Sequence, residues 1–269
     1  MMKRNSSTQK IIHVVFFLLF SVIDFACKKV IDVDLNSADP QIVIEGSISD
    51  SHGPYYVTLS KTVNFDQPNT FPPVSGAHVV MSDTLGNSEL LTETSPGTYR
   101  TSVIQGTPGR SYMLDVISEG KEYIATSTMP APVQFDSLTL DYILNGPNRY
   151  WAFKVHFKDP AGVKNYYHFV LMRNSIFSQR FFLYDDRIQD GESITYDLIP
   201  DTLRYRDTVV IFLQCIDKGV YDYFRTASQI SNGRGSQSAS PANPLSNFNN
   251  GALGYFSAYS VRSWRWINK

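Results

Sequence analysis

The chain has 269 residues, of which 42% are apolar and 18% are charged. This apolar content is enough to fill a core and excludes an intrinsically disordered chain. The net charge of −1 provides no basic excess and argues against nucleic acid as a partner. The 17 Phe and 16 Tyr residues favour pleated sheet over helix, and the length suits one large β domain or two of ordinary size.

Residues 1–26 have the pattern of a signal peptide. Lys3, Arg4 and Lys10 form a positive leader, and the apolar run 11–23 follows directly. This run is shorter than the roughly 20 residues that a membrane-spanning helix needs, but it suits the core of an export signal. We therefore expect this segment to direct export and then to be removed.

Cys27 is the predicted site of lipid attachment. Ala26 precedes it, and a small residue before a cysteine is what a lipoprotein signal peptidase needs before it cuts on the amino side of the acylated thiol. Asp24 and Phe25 depart from the residues usual at these positions, so an ordinary secretory peptide or an uncleaved anchor is the alternative. Residues 27–40 would then be a lipidated tether to a membrane, with the cell-surface side slightly favoured.

Residues 41–129 are predicted to form an antiparallel β-sandwich. Short β-branched and aromatic runs recur about every 8–12 residues and are separated by turn residues. Asp83 with Gly86 and Asn87 predicts a hairpin turn between two such runs. The two prolines in Met129–Pro132 mark the boundary with a second domain, because prolines at this spacing stiffen a linker and do not suit a central strand.

Residues 133–269 are predicted to form a second, mostly β domain. One stretch, 219–230, departs from the strand pattern because its apolar residues recur at helical spacing, which predicts a short amphipathic helix. Residues 231–250 are rich in Ser, Asn, Gly and Pro and indicate a long loop. Residues 254–261 are then expected to form a final strand that returns to the sheet.

The sequence contains no recognisable catalytic motif, and we predict neither catalytic residues nor a metal or cofactor. Cys215 lies in a predicted strand and is interpreted as a small buried hydrophobe. His156 and His168 lie on consecutive predicted strands and are interpreted as sheet residues rather than a ligand pair. The acidic residues Asp185, Asp186, Asp190 and Glu192 could supply oxygens to calcium, but a solvated acidic turn is the favoured interpretation.

Adjacent aromatic residues supply the candidate contact sites. Successive side chains of a strand point to opposite faces, so one ring of each adjacent pair should leave the core and could stack on a glycan, a small molecule or a receptor. If both faces of the sheet are covered, both rings are buried instead. The candidate ligand-binding residues are Tyr55, Tyr150, Trp151, Tyr166 and Trp264.

Three stretches of the chain together resemble one known family. They are Cys27 with Ile-Asp-Val-Asp-Leu at 31–35 and Ile-Val-Ile-Glu-Gly at 42–46; Val-Ser-Gly-Ala-His-Val at 74–79 with Gly-Thr-Tyr at 97–99 and Pro-Gly-Arg-Ser-Tyr-Met-Leu at 108–114; and Ala-Asn-Pro-Leu-Ser-Asn-Phe at 242–248 with Asn-Gly-Ala-Leu-Gly-Tyr-Phe at 250–256. They are similar to the Bacteroidota-type lipoprotein family catalogued as domain of unknown function 4249. The first domain is also similar to carboxypeptidase-regulatory-like sandwiches, which have an Ig-like form.

The resemblance implies a role at the outer membrane. Members of this family resemble lipoproteins found alongside TonB-dependent receptors. We therefore expect a non-catalytic lipoprotein that is an accessory or ligand-binding partner of such an uptake receptor. A structural or adhesion module at the cell surface, acting through protein–protein contacts, is the alternative.

The lipid anchor leads to a first prediction. Replacing the thiol by Cys27→Ala removes the acylation site, so most of the exported protein should move from the membrane fraction to the soluble fraction. Cell fractionation followed by immunoblotting measures this. A variant that stays with the membrane as fully as the wild-type protein would refute the anchor.

Overall fold

The computed structural model describes residues 39–64, 68, 70–145, 148–200, 203–231 and 243–268. Residues 39–269 form one compact unit. The predicted signal peptide and Cys27 lie outside the described residues, as do most of the predicted tether and residues 232–242 of the predicted loop.

The described residues form sixteen strands and one helix, so the chain is mainly β, as predicted. The helix α1 (Lys218–Ser231) matches the amphipathic segment expected near 219–230. No helix in the described part of the chain combines the length and the apolar character that crossing a membrane requires. The strands are β1 (Ile42–Ser49), β2 (Tyr56–Lys61), β3 (His78–Asp83), β4 (Ser88–Leu90), β5 (Thr92–Ser95), β6 (Thr98–Arg100), β7 (Ser111–Ser118), β8 (Lys121–Thr128), β9 (Phe135–Asn145), β10 (Asn148–Lys158), β11 (Tyr166–Arg173), β12 (Ile176–Phe177), β13 (Phe182–Asp185), β14 (Ser193–Leu198), β15 (Thr208–Ile216) and β16 (Leu253–Ile267).

These strands form three sheets. The large sheet has the order β12-β11-β15-β16-β1-β2-β6-β5, with β13 also paired to β11. A four-stranded sheet has the order β4-β3-β7-β8, and a three-stranded sheet has the order β14-β10-β9. The expected turn between β3 and β4 is present, because the Asp83 carboxylate accepts hydrogen bonds from the backbone N–H groups of Leu85 and Asn87.

The C-terminal strand β16 joins the two halves of the large sheet. It pairs in parallel with β1 through residues 253–259 and antiparallel with β15 through residues 260–267. The final strand therefore returns to the sheet, as predicted. The parallel β1–β16 pair departs from the purely antiparallel arrangement expected of residues 41–129, because β1 takes its partner from the far end of the chain.

Two apolar cores lie between the large sheet and the two smaller sheets, and a third, smaller cluster packs α1 against the large sheet. The first core lies between this sheet and the four-stranded sheet and includes Ile44, Leu114 and Phe256. The second core lies between the large sheet and the three-stranded sheet and includes Phe153 and Ile211. Each core is closed by two facing layers, which is the sandwich principle. The division of the chain into domains at residues 129–133 stays a prediction.

Asparagines of the predicted loop hold the edge of the four-stranded sheet. The Asn249 side chain accepts a hydrogen bond from the backbone N–H of Ile124, and the Asn250 side chain donates to the Glu122 carbonyl. Asn247 accepts from the backbone N–H of Phe256 and donates to its carbonyl. These bonds satisfy backbone groups of the edge strand β8 and connect it to β16.

Gly254 provides a test of the β1–β16 pair. Its φ is 92°, and a Cβ atom there would lie 2.0 Å from the backbone oxygen of Ile44. Gly254→Ala should therefore push β16 away from β1 and lower the free energy of unfolding by about 3 kcal/mol or more. Chemical denaturation measures this loss.

Gly251→Ala is the matched control for this prediction. Its φ is 77°, but no atom lies within 4 Å of the added Cβ. Only backbone strain remains, and the expected loss is about 1 kcal/mol. Equal losses of unfolding free energy in the two variants would contradict the role assigned to the close approach of Gly254 to Ile44.

Candidate functional site

Tyr55, the first candidate contact residue, is a buried structural residue. Its side chain is only 7% exposed, and its hydroxyl donates to the carbonyls of Ser49 and Ser51. Its neighbour Tyr56 on β2 is the exposed ring of this pair. The Tyr55 ring therefore offers no open surface for stacking.

Tyr150 and Trp151 lie at the free end of the β9–β10 hairpin. We call Tyr142–Leu144 and Arg149–Trp151 the hairpin tip. Trp151 stacks on Tyr142, directly across the ribbon, with 3.7 Å between ring centroids. The Arg149 guanidinium lies 5.7 Å from the centroid of the Tyr142 ring. Tyr150 points to the opposite face of the ribbon, and both Tyr150 and Trp151 are exposed.

The last two candidates lie elsewhere. Tyr166 begins β11 and packs beside Tyr221 of α1, with 5.0 Å between ring centroids. Trp264 lies on β16 and meets Phe135 edge to face at 6.0 Å. Among the described residues, no ring contact joins any two of the five candidates. The aromatic residues therefore do not form one site, and contact of the other four with a ligand stays a prediction.

Three carboxylates converge beside the β10–β11 turn. Asp159, Asp186 and Asp190 each place an oxygen within 4.8 Å of the others. A cavity of about 270 Å³ lies beside them and is also lined by Lys164 and Arg187. The sequence did not indicate that Asp159 joins Asp186 and Asp190, because strands β11, β12 and β13 separate it from them along the chain. The favoured interpretation of a solvated turn was wrong for Asp186, which is buried.

These carboxylates close loops in the described structure. Asp159 accepts hydrogen bonds from the Tyr167 hydroxyl and from the backbone N–H of Gly191. Asp186 accepts one from the backbone N–H of Asn165, and both oxygens of Asp190 accept from the backbone N–H of Gly162. Carboxylate oxygens are the ligands that calcium prefers, but the protein's own donors already use most of these oxygens.

The histidine and the cysteine with the most perturbed acidity are held in the interior. Burial lowers the pKa of His168 to about 4, against the opposing effect of its hydrogen bond with Gln214. Burial raises the pKa of the Cys215 thiol to about 11, so it is the buried hydrophobe that was predicted. His156 lies on the three-stranded sheet and His168 on the large sheet, so the two rings do not form a pair.

The outer face of the four-stranded sheet carries an unexpected apolar surface. We call it the outer sheet face, defined by side chains that point away from the first core. Asp115 is at its centre, opposite Val80 on one neighbouring strand and Ile124 on the other. Its apolar members are Val80, Leu90, Met113, Ile117 and Ile124, of which Leu90, Met113 and Ile117 are exposed.

Asp115 is the electrostatic anomaly of this face. Its Oδ1 atom is buried and has no hydrogen-bond donor in the described structure. An unpaired buried carboxylate oxygen destabilises the folded state.

Sequence reasoning missed the outer sheet face, although a signal was present. In β7, Tyr112, Leu114 and Val116 point into the first core, yet the alternate positions Met113 and Ile117 are also apolar. A strand that is solvated on one face normally alternates apolar and polar residues. The nearly continuous apolar run therefore indicates a strand that has apolar side chains on both faces of its sheet.

Comparison with protein families gives a match over most of the chain. A family model described as a domain of unknown function, DUF4249, matches residues 28–265. No curated protein matches the sequence. Among solved structures, the Yersinia pseudotuberculosis adhesin InvE is similar at 18% identity and a TM-score of 0.23, over 65% of this chain and 55% of the adhesin chain. The chain therefore spans about half the length of the adhesin. A TM-score this low does not indicate a shared fold.

His168 leads to a prediction about pH. Its pKa is about 4 in the folded chain and about 6.5 in an unfolded one. Between these values the unfolded chain binds a proton that the folded chain does not. The contribution of His168 to the free energy of unfolding is therefore fully present above pH 6.5. It is lost as the pH falls towards 4, by about 3 kcal/mol in total.

The measurement is the unfolding free energy of His168→Phe between pH 7 and pH 4. This variant keeps a ring against Phe224 and should lose less stability in this range than the wild-type protein does. His78→Gln changes an exposed histidine on β3 and should keep the wild-type slope. Identical slopes for His168→Phe and the wild type would contradict the prediction.

Proposed function

We propose a function from the premise that this chain belongs to the DUF4249 family. The protein is a non-catalytic lipoprotein, held to the outer membrane by lipid on Cys27. It acts as an accessory or ligand-binding partner of a TonB-dependent uptake receptor. We favour the cell-surface side of the membrane. Each of these points goes beyond family membership.

The observation that carries the binding role is the outer sheet face. Its exposed apolar side chains are Leu90, Met113 and Ile117. They share the face with the polar residues His78, Ser82, Glu122 and Thr126. A partner that covers this face would remove apolar surface from water. A flat surface of this kind fits a protein partner better than a small ligand, which usually binds in a concave pocket.

The placement of the reactive groups supports a non-catalytic role. A catalytic thiol needs a lowered pKa and a nearby base. Burial raises the pKa of Cys215 instead, and burial keeps His168 neutral. The converging carboxylates beside Tyr167 accept hydrogen bonds that close their own loops. These residues are used for packing and for turns.

The same face could also serve a structural or adhesion module. Such a module would use the outer sheet face for a contact between surface proteins, with no transporter in the complex. The two candidates share the lipid anchor and the contact surface, and they differ only in the identity of the partner. An affinity experiment separates them.

The experiment is a pull-down from solubilised outer membrane, with the captured proteins identified by mass spectrometry. Ile117→Lys places a charge in the outer sheet face and should lower recovery of the receptor about tenfold or more. Ile188→Lys is the matched control, because Ile188 is 95% exposed and lies outside this face. It should leave recovery unchanged.

Recovery of no TonB-dependent receptor by the wild-type protein would overturn the proposed partner. Specific recovery of a different surface protein, lost in Ile117→Lys, would favour the adhesion module. Equal effects of Ile117→Lys and Ile188→Lys would remove the outer sheet face from the proposal. Thermal unfolding of both variants checks that each is folded.

A further inference from the structure

The β9–β10 hairpin extends beyond the sheet that supports it. The third strand, β14, pairs with β10 only from Phe153 to Lys158. β9 continues to pair with β10 as far as Asn145 opposite Asn148. The hairpin tip is therefore a two-stranded ribbon that no third described strand joins, about 10 Å long at the usual rise of a strand.

Both faces of this ribbon are apolar. Tyr142, Leu144 and Trp151 point to one face, and Ile143 and Tyr150 point to the other. Leu144 is 72% exposed, and the three aromatic rings are each more than two-fifths exposed. A single protein partner would cover one face of such a ribbon and leave the other in water. A medium that surrounds the tip would cover both.

The residue types of the tip match the headgroup region of a bilayer. Trp and Tyr are enriched there, because their rings are apolar while their N–H and O–H groups stay hydrated. Within the hairpin tip the only charged residue is Arg149, and Asp141 lies at its base, opposite Ala152. Its guanidinium lies over the Tyr142 ring, where it could also meet a lipid phosphate. The tip therefore carries a positive charge that anionic lipid would attract, with one carboxylate at its base.

We infer that the hairpin tip inserts into the headgroup region of a phospholipid bilayer that contains anionic lipid. The depth is limited by the backbone. The outer edges of a two-stranded ribbon carry unpaired N–H and C=O groups, which the hydrocarbon core would leave unsatisfied. The headgroup layer is about 5–8 Å thick on each side, which accommodates the aromatic residues of the tip.

This contact is additional to the lipid anchor and does not depend on the receptor partner. A protein with one weak membrane attachment binds reversibly, whereas a protein with two attachments binds stably. The acyl chains would attach the chain to the membrane at one point. The hairpin tip would fix the orientation of the folded unit against the lipid surface.

The test uses the chain from residue 28 to residue 269, which lacks the lipid anchor. This is suitable because residues 39–269 form a compact unit. An environment-sensitive fluorophore is attached to Leu144→Cys, and Cys215 is buried and should stay unlabelled. Vesicles of phosphatidylcholine with phosphatidylglycerol should shift the emission to the blue and increase it severalfold. The same label on Val103→Cys, at a side chain that is also highly exposed, should not respond.

Two variants test the side chains of the tip. Trp151→Ser should lower the vesicle partition coefficient about tenfold. Arg149→Gln should lower it about fivefold for anionic vesicles and leave binding to pure phosphatidylcholine unchanged. The matched controls are Tyr205→Ser and Arg206→Gln, because these residues form another exposed aromatic–arginine pair, with 5.4 Å from the guanidinium to the ring centroid. The controls should bind as the wild type does.

Three outcomes would overturn the inference. The anchor-free chain could fail to bind vesicles, or Trp151→Ser could bind as well as Tyr205→Ser. The label at Leu144 could also respond to protein concentration without lipid, which would assign the tip to self-association. A failed receptor pull-down would not affect these results, since that experiment tests the outer sheet face.

Discussion

The parallel pairing of β16 with β1 is the constraint on which the rest of the structure depends. β16 has 15 residues, and its alternate side chains point to one side of the large sheet. Phe256 and Ala258 enter the first core, whereas Trp266 packs against the second. One strand thus supplies both cores. The close approach at Gly254 allows this pairing, because any larger residue would collide with the backbone of Ile44.

Polar contacts fix the elements around this strand. Asp50, just after β1, accepts hydrogen bonds from the backbone N–H of Val261 and from the Arg262 guanidinium, at the point where β16 passes from β1 to β15. Asp217 accepts from the backbone N–H of Val220 at the start of α1, and also from the Ser127 hydroxyl on β8. The first is a helix cap, and the second connects the helix to the four-stranded sheet. Buried and half-buried carboxylates in this protein hold its parts together.

Local features of the fold could be predicted from the sequence, whereas long-range ones could not. The helical spacing of 219–230 and the Asp-Gly-Asn turn at 83–87 are local signals, and the structure has both. The parallel partner of β1 lies some 200 residues away along the chain, and no local pattern indicates it. The same limit applies to the candidate sites: Tyr55 and Tyr56 differ only in which face is covered, and Asp159 meets Asp186 only through the packing of two turns.

The large sheet also determines how the two proposed surfaces could work together. The outer sheet face belongs to the four-stranded sheet and the hairpin tip to the three-stranded sheet, and both sheets pack on the large sheet. Lipid on Cys27 would by itself attach the chain at a single point and would leave its orientation free. A second contact through the hairpin tip would remove that freedom. The outer sheet face would then be presented in one fixed orientation relative to the membrane, which is what a receptor embedded in the same membrane requires.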